Sequence, residues 1–337
     1  MVNNLSVAVV GATGAVGREM LRLLEDRSFS VSSLYPLASS RSAGAVASWS
    51  GQRLAVSDLA TFDFEGIDLA LFSAGGSVSI EHVPRAVASG AVVIDNTSAF
   101  RMDPDVPLVV PEVNISAAKN RPKGIIANPN CATIQVVVPL EALRRAVGIK
   151  KLIVSTYQSA SGAGSRALDE LSRQAQASLE GREFKPQSFP RLLAFNLIPQ
   201  IGSFEEDGFT SEEHKMINET RKIMNLPGLR VSATCVRVPV RIGHCAAVHV
   251  ELNKSLSPED AREILSAAPG VSVMDDISGN EYPDPLCAAG TDPCWVGRIR
   301  KDPALDNGLV FWVAADNLRK GAALNAVQIA EGIFTGN

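Results

Sequence analysis

Over the first 130 residues the hydrophobic positions come in short continuous runs separated by helical repeats and turn residues. "SVAVV" (Ser6–Val10), "SSLYPLA" (Ser32–Ala38), "DLALFSA" (Asp68–Ala74) and "AVVIDN" (Ala91–Asn96) read as strands, and "GREMLRLLEDR" (Gly17–Arg27) and "VPRAVASG" (Val83–Gly90) as helices. That alternation predicts βαβ units on a parallel sheet. Continuous rather than alternating apolar runs mean that both sheet faces are covered. From about Lys150 the strands lengthen ("KLIVSTYQ", "LRVSATCVRVPV", "CAAVHVELN", "GLVFWVAAD") and amphipathic helices separate them, which predicts a mixed or antiparallel second domain. The last segment, "NLRKGAALNAVQIAEGIF", sets Leu324, Val327, Gln328 and Ala330 at helical spacing and is expected to pack back on the first domain.

Composition narrows this picture. A chain of 337 residues with 46% hydrophobic content exceeds one ordinary core, so two domains are expected. The net charge of -4 is spread over interleaved acids and bases, leaving no basic footprint for nucleic acid or an anionic membrane. Any anionic ligand must be met by a few local cations. The N-terminus lacks a basic region before its short apolar run, and no later apolar stretch approaches roughly 18 residues, so neither export nor membrane insertion is expected. Five cysteines (Cys131, Cys235, Cys245, Cys287, Cys294) form no C-x-x-C pair, which fits reduced thiols in a cytoplasmic protein. No metal site is expected.

"VAVVGATGAVG" is a strand running into Gly11, Gly14 and Gly17, then a helix with Val16, Met20, Leu23 and Leu24 on one face. Glycines let a backbone approach a pyrophosphate, and the helix N-terminus supplies free N–H groups and a positive dipole end. The spacing is a variant of the usual fingerprint, and a plain tight turn is the alternative. After the second strand, "LASSRSAG" offers Ser39, Ser40, Arg41 and Ser42 and no carboxylate, which suits a 2′-phosphate and favours NADP over NAD. An Arg to phosphate hydrogen bond contributes about 1.5–3 kcal/mol, roughly ten- to a hundredfold in affinity. The fold class expected is therefore α/β: a Rossmann-like dinucleotide-binding domain over residues 1–130, with 317–337 packing back on it, plus an α+β domain over 131–316.

"ANPNCATIQVVV" places Cys131 where a helix would start, with Asn128 or Asn130 as cap and Pro129 blocking continuation from upstream. A thiol at a helix start is poised to ionise, yet by composition alone a small buried inert cysteine is the commoner case, and Pro139 should kink the helix. A nicotinamide and a thiolate together point to attack on an activated carbonyl, a thioester and hydride transfer. Four histidines are candidate partners: His82, His214, His244 and His249. "VRVPVRIGHCAAVHVE" reads as a hairpin turning near Val240 and Arg241, which would set Arg237 opposite His244 and turn His249 to the other face. Thr210 and Glu213 suit a capping box, which makes Glu212 and Lys215 neighbours on one helix. A surface ion pair is the alternative for those two, and pairing with Asp103 or Asp105 is the alternative for Arg101.

Taken in order, "VAVVGATGAVG", "NPNCATIQ", "TYQSASGAG", "EEHKM", "VRVPVRIGH" and "ADNLRKGAALNAVQ" resemble the aspartate-β-semialdehyde dehydrogenase family over nearly the whole chain, with "SSRSAG" like its shorter bacterial branch. The resemblance implies that 131–316 is the catalytic and dimerisation domain. It casts Cys131 as the acylated nucleophile, His244 as the acid/base and Gln158 as the group orienting substrate, with Asn130 directly before the thiol. Arg237 would grip the substrate α-carboxylate, Glu212 its amino end, and Arg101 and Lys215 the phosphate. Gly11, Thr13, Gly14, Ala15, Val16, Ser39, Arg41, Ser42, Ser161, Gly162 and Asn317 would contact NADP.

The implied reaction is NADPH-dependent reductive dephosphorylation of L-4-aspartyl phosphate to L-aspartate 4-semialdehyde and phosphate, toward lysine, methionine and threonine, in a homodimer or homotetramer. Rivals are an N-acetyl-glutamyl-phosphate reductase-like or malonyl-CoA reductase-like enzyme, and a silent nucleotide-binding relative. Asn130 beside Cys131 and the spacing of Arg237 and His244 favour the aspartyl substrate.

Overall fold

The computed structural model describes residues 4–335. The first three residues of the expected N-terminal domain and the last two of the expected C-terminal segment lie outside the described residues. The chain divides into two compact units, one running up to Asn130 and resuming from Ala322, the other Cys131–Gly321.

The first unit contains β1 (Leu5–Val10), α1 (Ala15–Asp26), β2 (Val31–Ala38), an antiparallel ribbon of β3 (Val46–Trp49) and β4 (Gln52–Ala55), then β5 (Ser57–Asp58), β6 (Leu69–Phe72), α2 (Gly76–Ala88), β7 (Val92–Asp95), α3 (Pro111–Asn114) and β8 (Ile125–Ala127). Its main sheet is parallel throughout, in the order β5-β2-β1-β6-β7-β8. Val7, Ala8, Val9 and Val10 are all fully buried, as continuous apolar strands covered on both faces must be. Helix α2 starts at Gly76, earlier than the expected Val83, after Gly75 turns the chain with a φ of 103°.

The second unit contains α4 (Cys131–Val147), β9 (Ile149–Gln158), α5 (Ser165–Leu179), α6 (Ser211–Ile223), β10 (Arg230–Arg237), β11 (His244–Leu252), α7 (Pro258–Ser266), β12 (Val271–Val273), α8 (Pro285–Ala288), β13 (Cys294–Asp302) and β14 (Gly308–Ala315). Its sheet is mixed, in the order β10-β9-β11-β14-β13-β12. The expected hairpin between β10 and β11 does not form, because β9 lies between them, parallel to β10 and antiparallel to β11. The connection over Val238–Gly243 instead passes the end of β9, where the Ala160 and Ser161 N–H groups donate to the Val240 and Arg241 carbonyls.

Helix α4 does begin at Cys131 and continues through Pro139. The proline removes one N–H from the ladder, but Ala132 to Leu140 are buried without a break, so packing holds the helix on both sides of the gap. After β14 a π-helical turn over Arg319–Ala323 leads into α9 (Leu324–Phe334). Leu324, Val327 and Ile329 of α9 share a core with Val7, Met20 and Leu24, and Arg27 pairs with Glu331 at 2.7 Å. No helix among the described residues is long and apolar enough to cross a membrane.

Candidate active site

Sheet register gathers the polar residues of the second unit. Gln158 and Arg237, the last residues of the parallel strands β9 and β10, are paired in register. Strand β11 runs the other way beside β9 and begins with His244, adjacent to the Cys245–Tyr157 pair. One end of the sheet thus carries Gln158, Arg237 and His244. The first residue of α4 meets them there: Cys131 Sγ is 3.3 Å from His244 Nε2.

Two glycines make this junction possible. A Cβ on Gly162 would stand 3.0 Å from Arg237 Nη1 and 3.1 Å from His244 Nε2. A Cβ on Gly321 would stand 2.9 Å from the Cβ of Cys131. Both positions are limited by space rather than by backbone angle.

His244 is fully buried. Burial, and then the Arg237 charge, push its imidazole down to about 3, against a smaller opposing pull from the Gly243 backbone. Its Nδ1 lies 3.1 Å from the Ser159 backbone nitrogen and 3.0 Å from Ser159 Oγ. Ser159 Oγ, Ser161 Oγ and the Gly243 N–H all converge on Asn317 Oδ1, at 3.1, 3.0 and 2.9 Å. Ser161, Gly162 and Asn317, expected at the cofactor, therefore adjoin His244 in this unit. The other histidines have other company: His82 with Arg85, His214 with Asp207, His249 with Asp302.

Arg237 is buried and donates to the Ser159 carbonyl at 2.8 Å. Burial holds its guanidinium below the usual range, while Glu212 and Cys131 pull the other way. Glu212 sits in the first turn of α6, whose start is fixed by the capping box of Thr210 and Glu213. Lys215 donates to Glu212 at 3.1 Å, so the ion-pair geometry is present, with Glu212 buried rather than on a solvated face. Gln158 is buried and donates to Thr156 Oγ1 at 3.3 Å.

Cys131 and Cys287 are partly exposed, whereas Cys235, Cys245 and Cys294 are buried. Burial pushes the Cys235 and Cys245 thiols up to about 12. Cys294 is fully buried, and Cys287 Sγ contacts the Asp284 backbone. Among the described residues, no group of three or more His, Cys, Asp or Glu could hold a metal.

In the first unit the glycine loop lies at the C-terminal end of β1, where the strand order changes direction between β2 and β6. Gly11 has a φ of 87°, and a Cβ there would meet the Ser73 carbonyl oxygen at 2.5 Å. Gly17 is packed against Gly11, and Gly14 caps α1 with no side chain over the free N–H groups. Thr13 offers its carbonyl to Arg18, and Ala15 and Val16 open the helix. Ser39 caps a short 3-10 turn, Ser40–Ser42, that carries Arg41 and Ser42 just beyond β2. Open amides at a helix start with no carboxylate after β2 fit a dinucleotide bearing a 2′-phosphate. Arg101 is buried in the loop after β7 and donates to the Asn128 and Asn96 carbonyls at 2.9 Å each, while Lys123 pairs with Asp103 and Asp105. Asn130, also buried, directly precedes Cys131.

Residues 6–121 match the family described as semialdehyde dehydrogenase, NAD binding domain, and residues 140–320 the one described as semialdehyde dehydrogenase, dimerisation domain. A protein of Aquifex aeolicus named aspartate-semialdehyde dehydrogenase is 56% identical over 96% of this chain and 96% of its own. The chain belongs to the aspartate-semialdehyde dehydrogenase family. A crystal structure of aspartate semialdehyde dehydrogenase II from Vibrio cholerae complexed with ASA matches with a TM-score of 0.96 and 46% identity, covering 98% of each chain. The Candida albicans aspartate semialdehyde dehydrogenase solved with NADP matches at 0.77 and 26%, again covering 98% of each.

Within this family assignment, two neighbours of the thiol and imidazole went unread in the sequence. Ser159 touches His244 across 85 residues of chain, and its only local signal is its place after Gln158 in a run of small polar residues. Gly321, against Cys131, lies inside a segment whose helical spacing gave no reason to single it out.

Proposed function

We propose that the protein is an aspartate-β-semialdehyde dehydrogenase that converts L-4-aspartyl phosphate to L-aspartate 4-semialdehyde and phosphate, a step toward lysine, methionine and threonine. The observation that carries this reading is Cys131 Sγ placed 3.3 Å from His244 Nε2 at a helix start. Cys131 is the nucleophile. Its sulfur attacks the acyl phosphate carbon, an S–C bond forms, the C–O bond to phosphate breaks, and a thioester remains on the enzyme. Arg101 and Lys215 hold the departing phosphate, a task for oriented cations. Arg237 grips the planar α-carboxylate, which a lysine could not match bidentately. Glu212 meets the amino end, and Gln158 and Asn130 fix the acyl group beside the sulfur. His244 is the acid/base: its Nε2, 3.3 Å from Sγ, takes the thiol proton as sulfur attacks and returns it at a later step. NADPH, when bound, supplies the hydride that turns the thioester into the aldehyde. Gly11, Thr13, Gly14, Ala15, Val16, Ser39, Arg41 and Ser42 are the residues of the first unit that would hold it, with Ser161, Gly162 and Asn317 from the second. A cytoplasmic homodimer or homotetramer, assembled through the second domain, completes the reading.

The test is turnover by the purified chain in the reverse direction. Phosphate-dependent reduction of NADP with aspartate semialdehyde is expected. Turnover of N-acetyl-glutamate semialdehyde alone would overturn the substrate assignment, and NADP binding without any turnover would mark a silent relative.

A further inference from the structure

We infer that Asp95, at the end of β7, is the positioning residue that aims Arg101 at phosphate: its carboxylate and the Arg101 guanidinium hold opposite ends of the peptide group joining Asn96 and Thr97. The inference rests on the function proposed above, in which Arg101 meets the phosphate, and adds the residue that sets its direction.

A peptide group is planar, so its N–H and C=O turn together. The Thr97 N–H donates to Asp95 Oδ1 at 3.1 Å, and the Asn96 carbonyl of the same peptide accepts from Arg101 Nη2 at 2.9 Å. Fixing one end of the group therefore fixes the other, and the carboxylate and guanidinium polarise it in the same sense. Arg101 Nε donates to the Asn128 carbonyl at 2.9 Å, so a second nitrogen takes its direction from a main-chain oxygen. Asn128 in turn donates its N–H to the Asp95 carbonyl at 2.8 Å and its side-chain amide to Asn96 Oδ1. Both residues whose carbonyls hold Arg101 are thus tied to Asp95, one through its side chain and one through its backbone.

Asp95 is itself held as an acceptor. Ser79 Oγ, on α2, donates to Oδ1 at 2.8 Å, and Thr97 Oγ1 donates to Oδ2 at 2.7 Å. The Ala99 N–H donates to Thr97 Oγ1 at 3.3 Å, which occupies the hydroxyl oxygen and leaves its hydrogen for Asp95. Ser79, Asp95 and Thr97 are all buried, so water does not compete for these bonds. Burial raises the Asp95 carboxyl above its usual range, against the pull of Thr97, Ser79 and the Arg101 charge. The charge of Arg101 is therefore felt at the carboxylate that braces its anchor. An aspartate turning the chain out of a strand is a common local device, but such a turn alone does not set an arginine at the far end of the peptide it grips.

The test is the KM for inorganic phosphate in NADP reduction with aspartate semialdehyde, measured on the full-length protein and set against the KM for NADP. Arg101→Gln should raise the phosphate KM at least about tenfold. Asp95→Ala should raise it about ten- to a hundredfold, with the KM for NADP within about twofold of wild type. Asp95→Asn keeps an oxygen for the Thr97 N–H and should recover at least about threefold of that rise. Thr97→Val preserves the side-chain shape and the N–H but removes the hydroxyl, so a rise of about two- to tenfold is expected, while Thr97→Ser should stay within about twofold of wild type. If Asp95→Ala does not fold, the Thr97 pair decides. A wild-type phosphate KM in folded Asp95→Ala or in Thr97→Val, while Arg101→Gln raises it, would overturn the inference alone. Equal rises in the KM for phosphate and for NADP would also overturn it, leaving Asp95 as a support of the fold. An unchanged phosphate KM in Arg101→Gln would overturn the phosphate role of Arg101 and the inference with it, and a wild type without phosphate-dependent turnover would overturn the proposed function as well.

Discussion

Cys131 differs from the other four cysteines in its surroundings: a helix start, a buried imidazole at 3.3 Å, and Gly321 with no side chain to crowd it. Gly321→Ala should therefore disturb the thiol. A Cβ at 2.9 Å from that of Cys131 forces a shift, with an overpacking cost of about 1–3 kcal/mol. Lower stability in urea together with slower turnover is expected, and wild-type values for both would contradict this reading. At the other site, Arg41 supplies a guanidinium just beyond β2, in a turn over Ser39–Ser42 that has no carboxylate of its own. Arg41→Ala should raise the KM for NADPH about ten- to a hundredfold and leave NADH kinetics unchanged. Equal losses with both cofactors would remove the 2′-phosphate role.

At the scale of elements, what was legible in the sequence was what neighbours in the chain decide. The glycine turn between β1 and α1, the helix start at Cys131 and the capping box at Thr210 each depend on a few consecutive residues. The β10 and β11 arrangement does not. Both strands were readable, but the strand between them, β9, comes from about 80 residues earlier, and nothing in "VPVRIGH" announces it. The contact of Ser159 with His244 was hidden for the same reason, since it exists only once β9 and β11 are side by side. Pro139 misled in the other direction, because its local cost is outweighed by burial along α4. The capping box offers a test at this scale. Thr210 accepts from the Glu213 N–H, while Glu213 accepts from the Thr210 and Cys235 N–H groups, tying the start of α6 to β10. Thr210→Ala should cost about 1 kcal/mol and, by loosening the turn that carries Glu212, raise the KM for aspartate semialdehyde. Unchanged stability in a urea titration would contradict that assignment.

For the whole molecule, acid sensitivity has an identifiable contributor. Burial raises the Glu141 carboxyl, but its bonds to Arg144 and Arg145, at 2.6 and 2.7 Å, outweigh that and hold it below the usual 4.5. A carboxyl depressed in the folded state adds stability above its unfolded value, and that stability is lost as the pH falls through the folded value. Wild type should be more stable than Glu141→Gln near neutrality, with the gap closing below about pH 4.5. A gap independent of pH, measured by denaturant unfolding, would contradict this. The central claim is that the chain turns over an aspartyl group through a thioester on Cys131. Mass spectrometry of protein quenched during turnover of aspartate semialdehyde with NADP, without phosphate, tests it most directly. An added aspartyl mass on the peptide containing Cys131, absent in Cys131→Ala, is expected. The adduct on another residue, or full turnover by Cys131→Ala, would contradict it.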